Sequence, residues 1–316
     1  MNLAIVGCGA VGRAVCDLAE SYGHRITALA DSTSAVTDAA GIDVETALER
    51  KIRDGTVGSA DPERALDAEY DVLVEATPTT LDDAEPGFSH VLGALERDRH
   101  VVLANKGPVA ERYDDLRSAE RDSAGRVLFE ATVGGAIPVL STIADLGAEN
   151  VSAVRGVLNG TANFILSRMS AEGLGYEHVL AEAQDLGVAE TDPTFDVEGT
   201  DAALKCAILA NVVGTGETTL ADVEVTGITE LTPSALSLAR EGGRTIRLVG
   251  EVTDGDDQTV RVGPRLVPEH GALSVSGTRN IVQLETHNAG QLNLSGCGAG
   301  GEATASAVFA DIARLQ

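Results

Sequence analysis

A short apolar run, Leu3-Ala-Ile-Val6, leads into Gly7-Cys-Gly9-Ala-Val-Gly12. No other stretch restricts the fold as much. Such a run bounded by a glycine turn reads as a buried strand. Arg13 to Tyr22 then places Ala14, Val15, Leu18 and Ala19 on one side of a helix, and Ile26 to Ala30 is a second apolar run ending at Asp31. Strand, GxGxxG, helix, strand and acid, in that order, make a dinucleotide-binding βαβ unit. In such a unit Gly7 allows the tight turn, Gly9 lets a pyrophosphate approach the backbone, and Gly12 lets helix and strand pack closely. The phosphates would rest on the helix N-terminus, at Ala10 and Val11. A GxGxxG alone is an ordinary glycine-rich turn; the flanking elements make this one a cofactor site. Asp31 suits a free ribose 2′-hydroxyl, hence NAD. Ser32, Thr33 and Ser34, or Arg50 and Lys51, suit a 2′-phosphate instead, hence NADP, and the residues leave both open.

The same half of the chain supplies further strands at Tyr70 to Glu75, His100 to Leu103 and Val127 to Glu130, with helices over Phe88 to Arg97 and Val109 to Ala124 between them. In a doubly wound sheet the loops at the strand carboxyl ends line the cofactor crevice. That assigns Thr77 and Pro78, in the loop after Glu75, and Lys106, just past Leu103, to the crevice. The plain alternative for Lys106 is a loop lysine in solvent. Glu130-Ala-Thr-Val-Gly-Gly-Ala-Ile-Pro138 reads as the crossing into a second domain, with Pro138 opening a helix.

A length of 316 residues suits about two domains. No run approaches the ~18 apolar residues of a membrane span, and no basic segment precedes the first strand, so neither a span nor a signal peptide is expected. The net charge of −26 argues against nucleic-acid and anionic-membrane partners. The basic residues are 20 Arg and only 3 Lys, a balance that reads as adaptation to high salt. Lysine exchanges a proton at an accessible pKa and arginine does not. Of Lys51, Lys106 and Lys205, the last two are therefore candidates for chemistry. Cysteines at 8, 16, 206 and 297 form no CxxC and read as free thiols of a cytoplasmic protein. The histidines form no HExxH or HxxxH, so zinc is not expected.

In the second half, Val154 to Leu158 is a strand feeding Asn159-Gly160-Thr161, which opens a helix through Met169; Tyr176 to Leu186 is a helix ended by Gly187. The stretch from Glu190 to Lys205 begins as a turn at Asp192-Pro193 and becomes a helix, with Thr200 as its expected N-cap. Past Lys205 that helix is apolar on every face, so it should be buried. Asp201 and Lys205 lie four apart and share a face. A buried lysine is costly unless it is paired or used. The acids at 190, 192, 196, 198 and 201 suggest a receptor for a cationic group; the alternative is a structural Asp–Lys pair. Strands follow at Val223 to Val225, Thr245 to Val249, Val260 to Val267, Leu273 to Val275 and Ile281 to Leu284, with a hairpin turn at Asp254-Gly255. Gly296-Cys-Gly298-Ala-Gly300 opens a terminal helix, Ala305 to Leu315, that is expected to return to the first domain. The expected class is α/β: a Rossmann doubly wound dinucleotide-binding domain over 1–135, completed by 297–316, plus an α+β substrate and dimerisation domain over 136–296.

Several of these segments, in this order, form a recognisable set: Gly7-x-Gly-x-x-Gly12, Ala104-Asn-Lys106, Glu130 to Pro138, Leu158-Asn-Gly-Thr-Ala-Asn-Phe-Ile-Leu166, Glu190-x-Asp-Pro-x-x-Asp-Val-Glu-Gly-x-Asp-Ala-Ala-x-Lys205 and Gly298-Ala-Gly-x-x-x-Thr304. The sequence resembles homoserine dehydrogenase over nearly its whole length. That resemblance implies interconversion of L-homoserine and L-aspartate 4-semialdehyde with NAD or NADP, in threonine and methionine biosynthesis, by a homodimer. It implies Lys205 as acid/base and Lys106 as the second lysine at the reacting oxygen. It assigns Glu190, Asp201, Asp196, Gly160 and Thr161 to the substrate, Glu190 through the amino group, and Gly187, Gly298 and Gly300 to the cofactor side. Glu130, with the carbonyls of Val133, Gly135 and Ile137, matches the family's site for a sodium or potassium ion; a plain domain-crossing turn is the alternative. The chain stops soon after its last glycine corner, so threonine feedback through an ACT-type domain is not expected. A related amino-acid dehydrogenase, such as one acting on aspartate, and a non-catalytic NAD(P) sensor are the competing readings. The 190–205 motif argues against the first, and the full set of lysines and acids against the second.

Overall fold

The structure, a computed structural model, describes residues 1–214, 216–253 and 259–315; the expected turn at Asp254-Gly255 lies outside them. The chain divides into two compact units, Met1–Ala136 with Ala299–Gln316, and Ile137–Gly298.

The first unit is built on a sheet of β1 (Asn2–Val6), β2 (Arg25–Ala30), β3 (Ala35–Thr37), β4 (Val72–Glu75), β5 (His100–Leu103) and β6 (Val127–Leu128). Its order is β3-β2-β1-β4-β5-β6. All neighbours are parallel except β2 and β3. Parallel sheets are covered on both faces, so their strands are apolar without alternation. Leu3, Ala4, Ile5, Val72, Leu73, Val74 and Val101 to Leu103 are accordingly all fully buried. Strand order reverses between β1 and β4, where a doubly wound sheet binds its ligand. The terminal helix, Gly301–Arg314, packs on the helix Ala10–Leu18, and Phe309 stacks on Tyr22 with ring centroids 4.3 Å apart. The segment expected as one helix over Val109 to Ala124 is two, Gly107–Glu111 and Tyr113–Arg121, because Arg112 leaves the helical region at φ −136°, ψ 38°. The strand after it ends at Leu128, and Glu130 begins a short 3₁₀ turn.

The second unit is a sheet of order β12-β11-β7-β9-β10-β8, from β7 (Val151–Val157), β8 (Glu224–Val225), β9 (Arg244–Thr253), β10 (Thr259–Pro268), β11 (Arg279–Thr286) and β12 (Gly290–Cys297). Its pairs are antiparallel except β10 with β8. The helix Thr200–Val213 packs against β9 and β10 and is buried from Asp201 through Asn211, as its all-round apolar sequence requires. Its cap is Gly199, at φ +90°, so Thr200 is already helical and makes no capping bond. Leu273 to Val275 is not a strand. The Val275 carbonyl is taken by side chains instead, Arg247 Nε at 2.9 Å and Asn163 Nδ2 at 3.3 Å. β12 went unrecognised because Gln-Leu-Asn-Leu-Ser-Gly is a polar edge strand that alternates half-buried and exposed residues.

Candidate functional site

In the first unit the crevice begins where β1 gives way to the Gly7–Gly12 turn. Gly7 has φ +105°, and a Cβ there would lie 2.3 Å from the Ala76 carbonyl oxygen. A Cβ on Gly12 would lie 1.9 Å from the Gly7 oxygen. A Cβ on Gly9 would meet nothing within 4 Å. Two glycines therefore close the turn against β4 and the helix, and the third leaves an open approach to the helix N-terminus at Ala10 and Val11. That is the shape a pyrophosphate needs, and the residues fit a dinucleotide.

Asp31 stands at the end of β2, 7% exposed. Its Oδ1 accepts from Thr33 N (2.8 Å), Thr33 Oγ1 (2.9 Å), Ser34 N (2.7 Å) and Ser34 Oγ (3.0 Å). Lys51 Nζ donates to Oδ2 at 2.7 Å. Burial pushes the carboxyl's pKa up, but Lys51 and the donors of Thr33 and Ser34 outweigh it and hold it well below the usual carboxylate range. The residues that favour opposite cofactors in the sequence are thus bonded to one another.

The loops after β4 and β5 are tied together. Thr77 Oγ1 donates to the fully buried Glu75, and Asn105 Nδ2 donates to Thr77 Oγ1 (3.1 Å) and to the Pro78 carbonyl (3.4 Å). Lys106, half-buried, caps the helix Gly107–Glu111, and its N–H reaches Thr79 Oγ1 at 3.4 Å. Gly300, at φ +110°, caps the terminal helix.

Glu130 is buried; its N–H donates to Asp311 Oδ2 at 2.8 Å and its Oε2 lies 3.7 Å from Arg314 Nη1. Burial raises the Asp311 carboxyl to about 6. The Ile137 carbonyl already accepts the Val139 N–H at 2.9 Å. A carboxylate facing a guanidinium is a poorer donor to a hard cation, so Glu130 and the carbonyls of Val133, Gly135 and Ile137 fit an ion only in part. Among the described residues no group of three or more His, Cys, Asp or Glu could hold a metal.

In the second unit the carboxyl end of β7 meets the start of the helix Thr200–Val213. Lys205 is 5% exposed, and its Nζ donates to Asp201 Oδ2 (2.7 Å) and to the Leu158 carbonyl (2.6 Å). Asn159 caps the helix Gly160–Glu172 by accepting the Ala162 N–H at 2.9 Å. Its Nδ2 donates to Asp196 Oδ1 (2.6 Å) and to Asp201 Oδ2 (2.9 Å). A buried lysine amine, two carboxylates and an amide thus form one hydrogen-bonded cluster. Gly160 lies against the Thr278 carbonyl, 2.8 Å from where its Cβ would be. Thr161 Oγ1 donates to the Val188 carbonyl at 3.1 Å and so anchors the turn that holds Gly187, at φ +68°. Glu190 is exposed beyond that turn, and its carbonyl accepts from Gln184 Nε2 at 3.1 Å. Gly298 lies over Asn280, whose Nδ2 would be 2.0 Å from a Cβ at 298.

The second-unit candidates that touch are Asp196, Asp201 and Lys205, joined through Asn159; Glu190 makes none of these bonds. Sequence reasoning read Asn159 only as part of a turn, although an Asn before a helix start is a recognised cap. Asn280 had no local signal.

Comparison with known proteins gives one family throughout. A family model described as "Homoserine dehydrogenase" matches residues 138–313, and one described as "Homoserine dehydrogenase, NAD binding domain" matches 7–130. The homoserine dehydrogenase of Methanocaldococcus jannaschii is 38% identical over 100% of this chain and 98% of its own. A crystal structure from Archaeoglobus fulgidus, provisionally given the same name, has a TM-score of 0.90 at 40% identity, over 100% of this chain and 99% of that one. A hyperthermophilic archaeal homoserine dehydrogenase solved in complex with NADPH has a TM-score of 0.82 at 28% identity, over 99% and 96% of the two chains.

Proposed function

This chain belongs to the homoserine dehydrogenase family, and from that premise we propose that Lys205 is the acid/base with which it interconverts L-homoserine and L-aspartate 4-semialdehyde. The observation that supports this most is the burial of the Lys205 ammonium between Asp201 and the Leu158 carbonyl. A nicotinamide cofactor, NAD or NADP, supplies the hydride chemistry when bound. The chain must hold the substrate and manage one proton at its oxygen. An ammonium has three donors, and two of those on Lys205 are committed to Asp201 and Leu158. The third can polarise the aldehyde oxygen in reduction, and the neutral amine can take the alcohol proton in oxidation. Asp201 and Asn159 hold that amine at one place, with Asp196 bonded to the same amide. Glu190, exposed and acidic, binds the substrate ammonium. Lys106, past the end of β5, is the second lysine assigned to the reacting oxygen. Thr77, Pro78 and the Gly7–Gly12 turn hold the cofactor, with Asp31 at its ribose and Gly187, Gly298 and Gly300 on the cofactor side. A sodium or potassium ion on the Glu130 set would share the Glu130 carboxylate with Arg314, and no step is assigned to it.

We place the protein in the cytoplasm, as a homodimer joined through the second unit, in threonine and methionine biosynthesis. No helix among the described residues is long and apolar enough to cross a membrane. The charge of −26 and the shortage of lysine support activity in concentrated salt.

The test is an absorbance assay at the reduced nicotinamide band with L-homoserine and NAD+ or NADP+, in low salt and in molar KCl. Cofactor reduction that depends on homoserine, and rises in molar KCl, is expected. No homoserine-dependent signal while cofactor binding is intact would remove the substrate assignment. A rate that falls in molar salt would remove the high-salt reading.

A further inference from the structure

Asn280 is the first side chain inside β11, 2% exposed, and nothing in its local sequence marks it out. Its Nδ2 donates to the Leu158 carbonyl at 2.9 Å. The same oxygen accepts Lys205 Nζ at 2.6 Å. We infer that Asn280 is a positioning residue for Lys205, acting through the carbonyl that the two side chains share.

The placement follows from register. β11 and β7 are antiparallel with Ile281 opposite Val157, so Asn280 comes opposite Leu158 where β7 has just ended. The backbone ladder no longer reaches Leu158, and the Asn280 amide takes over its oxygen. A carbonyl has two lone pairs and can accept both donors. Asn280 therefore fixes the direction of the carbonyl, and the carbonyl fixes one N–H of a side chain with four rotatable bonds. Asp201, one turn earlier on the same helix, fixes another.

The surroundings hold Asn280 in turn. Gly298 leaves no room for a side chain above the amide. Asn163 Nδ2 donates to the carbonyls of Val275 (3.3 Å), Gly277 (2.8 Å) and Arg279 (3.3 Å), pinning the chain that delivers Asn280. Asn280 Oδ1 and Asn163 Oδ1 are both buried without a hydrogen-bond partner among the described residues. Buried acceptors left unmet are rare. The donor end of each amide is the one the structure uses, and at Asn280 that donor is aimed at the lysine's acceptor.

This inference rests on the acid/base reading of Lys205, and the experiment separates the two. Asn280→Ala and Asn280→Ser are compared with Lys205→Ala and wild type. The measurements are kcat, KM for homoserine, the pH dependence of kcat, and the cofactor dissociation constant from nicotinamide fluorescence. A lysine displaced by about an ångström loses roughly 100-fold in rate. Asn280→Ala should therefore lower kcat by about 10- to 100-fold and move the pH limb that reports the lysine. KM should change less than the rate, and cofactor binding should be kept. Asn280→Ser retains a hydroxyl donor and should fall between Ala and wild type, and it carries the same criterion if the Ala variant does not fold. A folded variant with unchanged kcat and pH profile, altered only in melting temperature, overturns the positioning role. If Lys205→Ala is inactive while the Asn280 variants keep the wild-type kcat and pH profile, this inference alone fails. If Lys205→Ala keeps turnover, the acid/base reading fails.

Discussion

The Lys51–Asp31 pair of the first unit and the Lys205–Asp201 pair of the second are built alike. Each has an N–O separation of 2.7 Å. Each ammonium also donates to a backbone carbonyl, Gly55 at 2.8 Å for Lys51 and Leu158 at 2.6 Å for Lys205. What differs is where the partners come from. Gly55 is the C-cap residue of the helix that carries Lys51, and the donors on Asp31 Oδ1 come from residues 33 and 34. Leu158 is 47 residues from Lys205 in the chain, and Asn159 joins Asp201 to Asp196. The Lys51 side chain is 22% exposed and that of Lys205 is 6%. A pair whose lysine is partly solvated can release that lysine to a ligand at lower cost. A buried pair held by separate elements is fixed, and breaking it leaves a charge in the interior.

The comparison breaks most visibly on removing each lysine. Lys205→Ala should lower kcat by about 100-fold or more while cofactor still binds, since general acid–base catalysis contributes about 10²–10⁴. Lys51→Ala should leave kcat at saturating cofactor within about threefold and shift the ratio of KM for NAD and NADP, because a charge near a 2′-phosphate acts on binding. Steady-state kinetics of both variants with both cofactors checks this. Equal losses of kcat would erase the distinction.

A smaller effect tests how firmly Asp31 is held. Its folded pKa is depressed, so its contribution to stability is complete above the unfolded value of about 4 and is lost as pH falls further. Asp31→Asn should then destabilise by on the order of 1 kcal/mol at pH 7, the worth of a hydrogen-bonded group. The difference from wild type should be smaller at pH 2, where the unfolded state no longer favours the ionised group and the folded state still does. Urea unfolding at the two pH values measures it, and a difference that stays constant would mean the carboxylate charge is not what matters.

The smallest effect is in the thiols. Burial pushes Cys206, beside Lys205 in the helix, up to about 12, and it raises Cys8 and Cys16 as well. Cys297, at the end of β12, is exposed. A thiol reagent on the native protein should modify one cysteine quickly and three only on unfolding. Rapid reaction at Cys206 would show that the helix around Lys205 opens, and that its pair is less fixed than its burial implies.

Much of this molecule was legible before its structure. The doubly wound sheet followed from apolar strands of the right length, each followed by a glycine turn or a loop, since a strand buried on both faces cannot hide its composition. The burial of the helix Thr200–Val213 followed from its lack of a polar face. An i, i+4 spacing put Asp201 beside Lys205, because helix geometry is local. Family motifs carried the substrate. Local signals also misled: Thr200 is a good capping residue, but Gly199, with its positive φ, took the cap, and Leu273 to Val275 has strand composition but no strand beside it.

The remainder was decided by contacts between residues far apart in the chain. That Asp31 is already occupied by Lys51, that Asn159 bridges Asp196 and Asp201, and that Asn280 shares a carbonyl with Lys205 depend on side-chain directions at separations of 20 to 122 residues. Residue type and periodicity specify which face a side chain takes. Which buried donor meets which buried acceptor is specified only when the elements have packed, because leaving a buried polar group unmet is costly and the partner that meets it can come from anywhere in the chain.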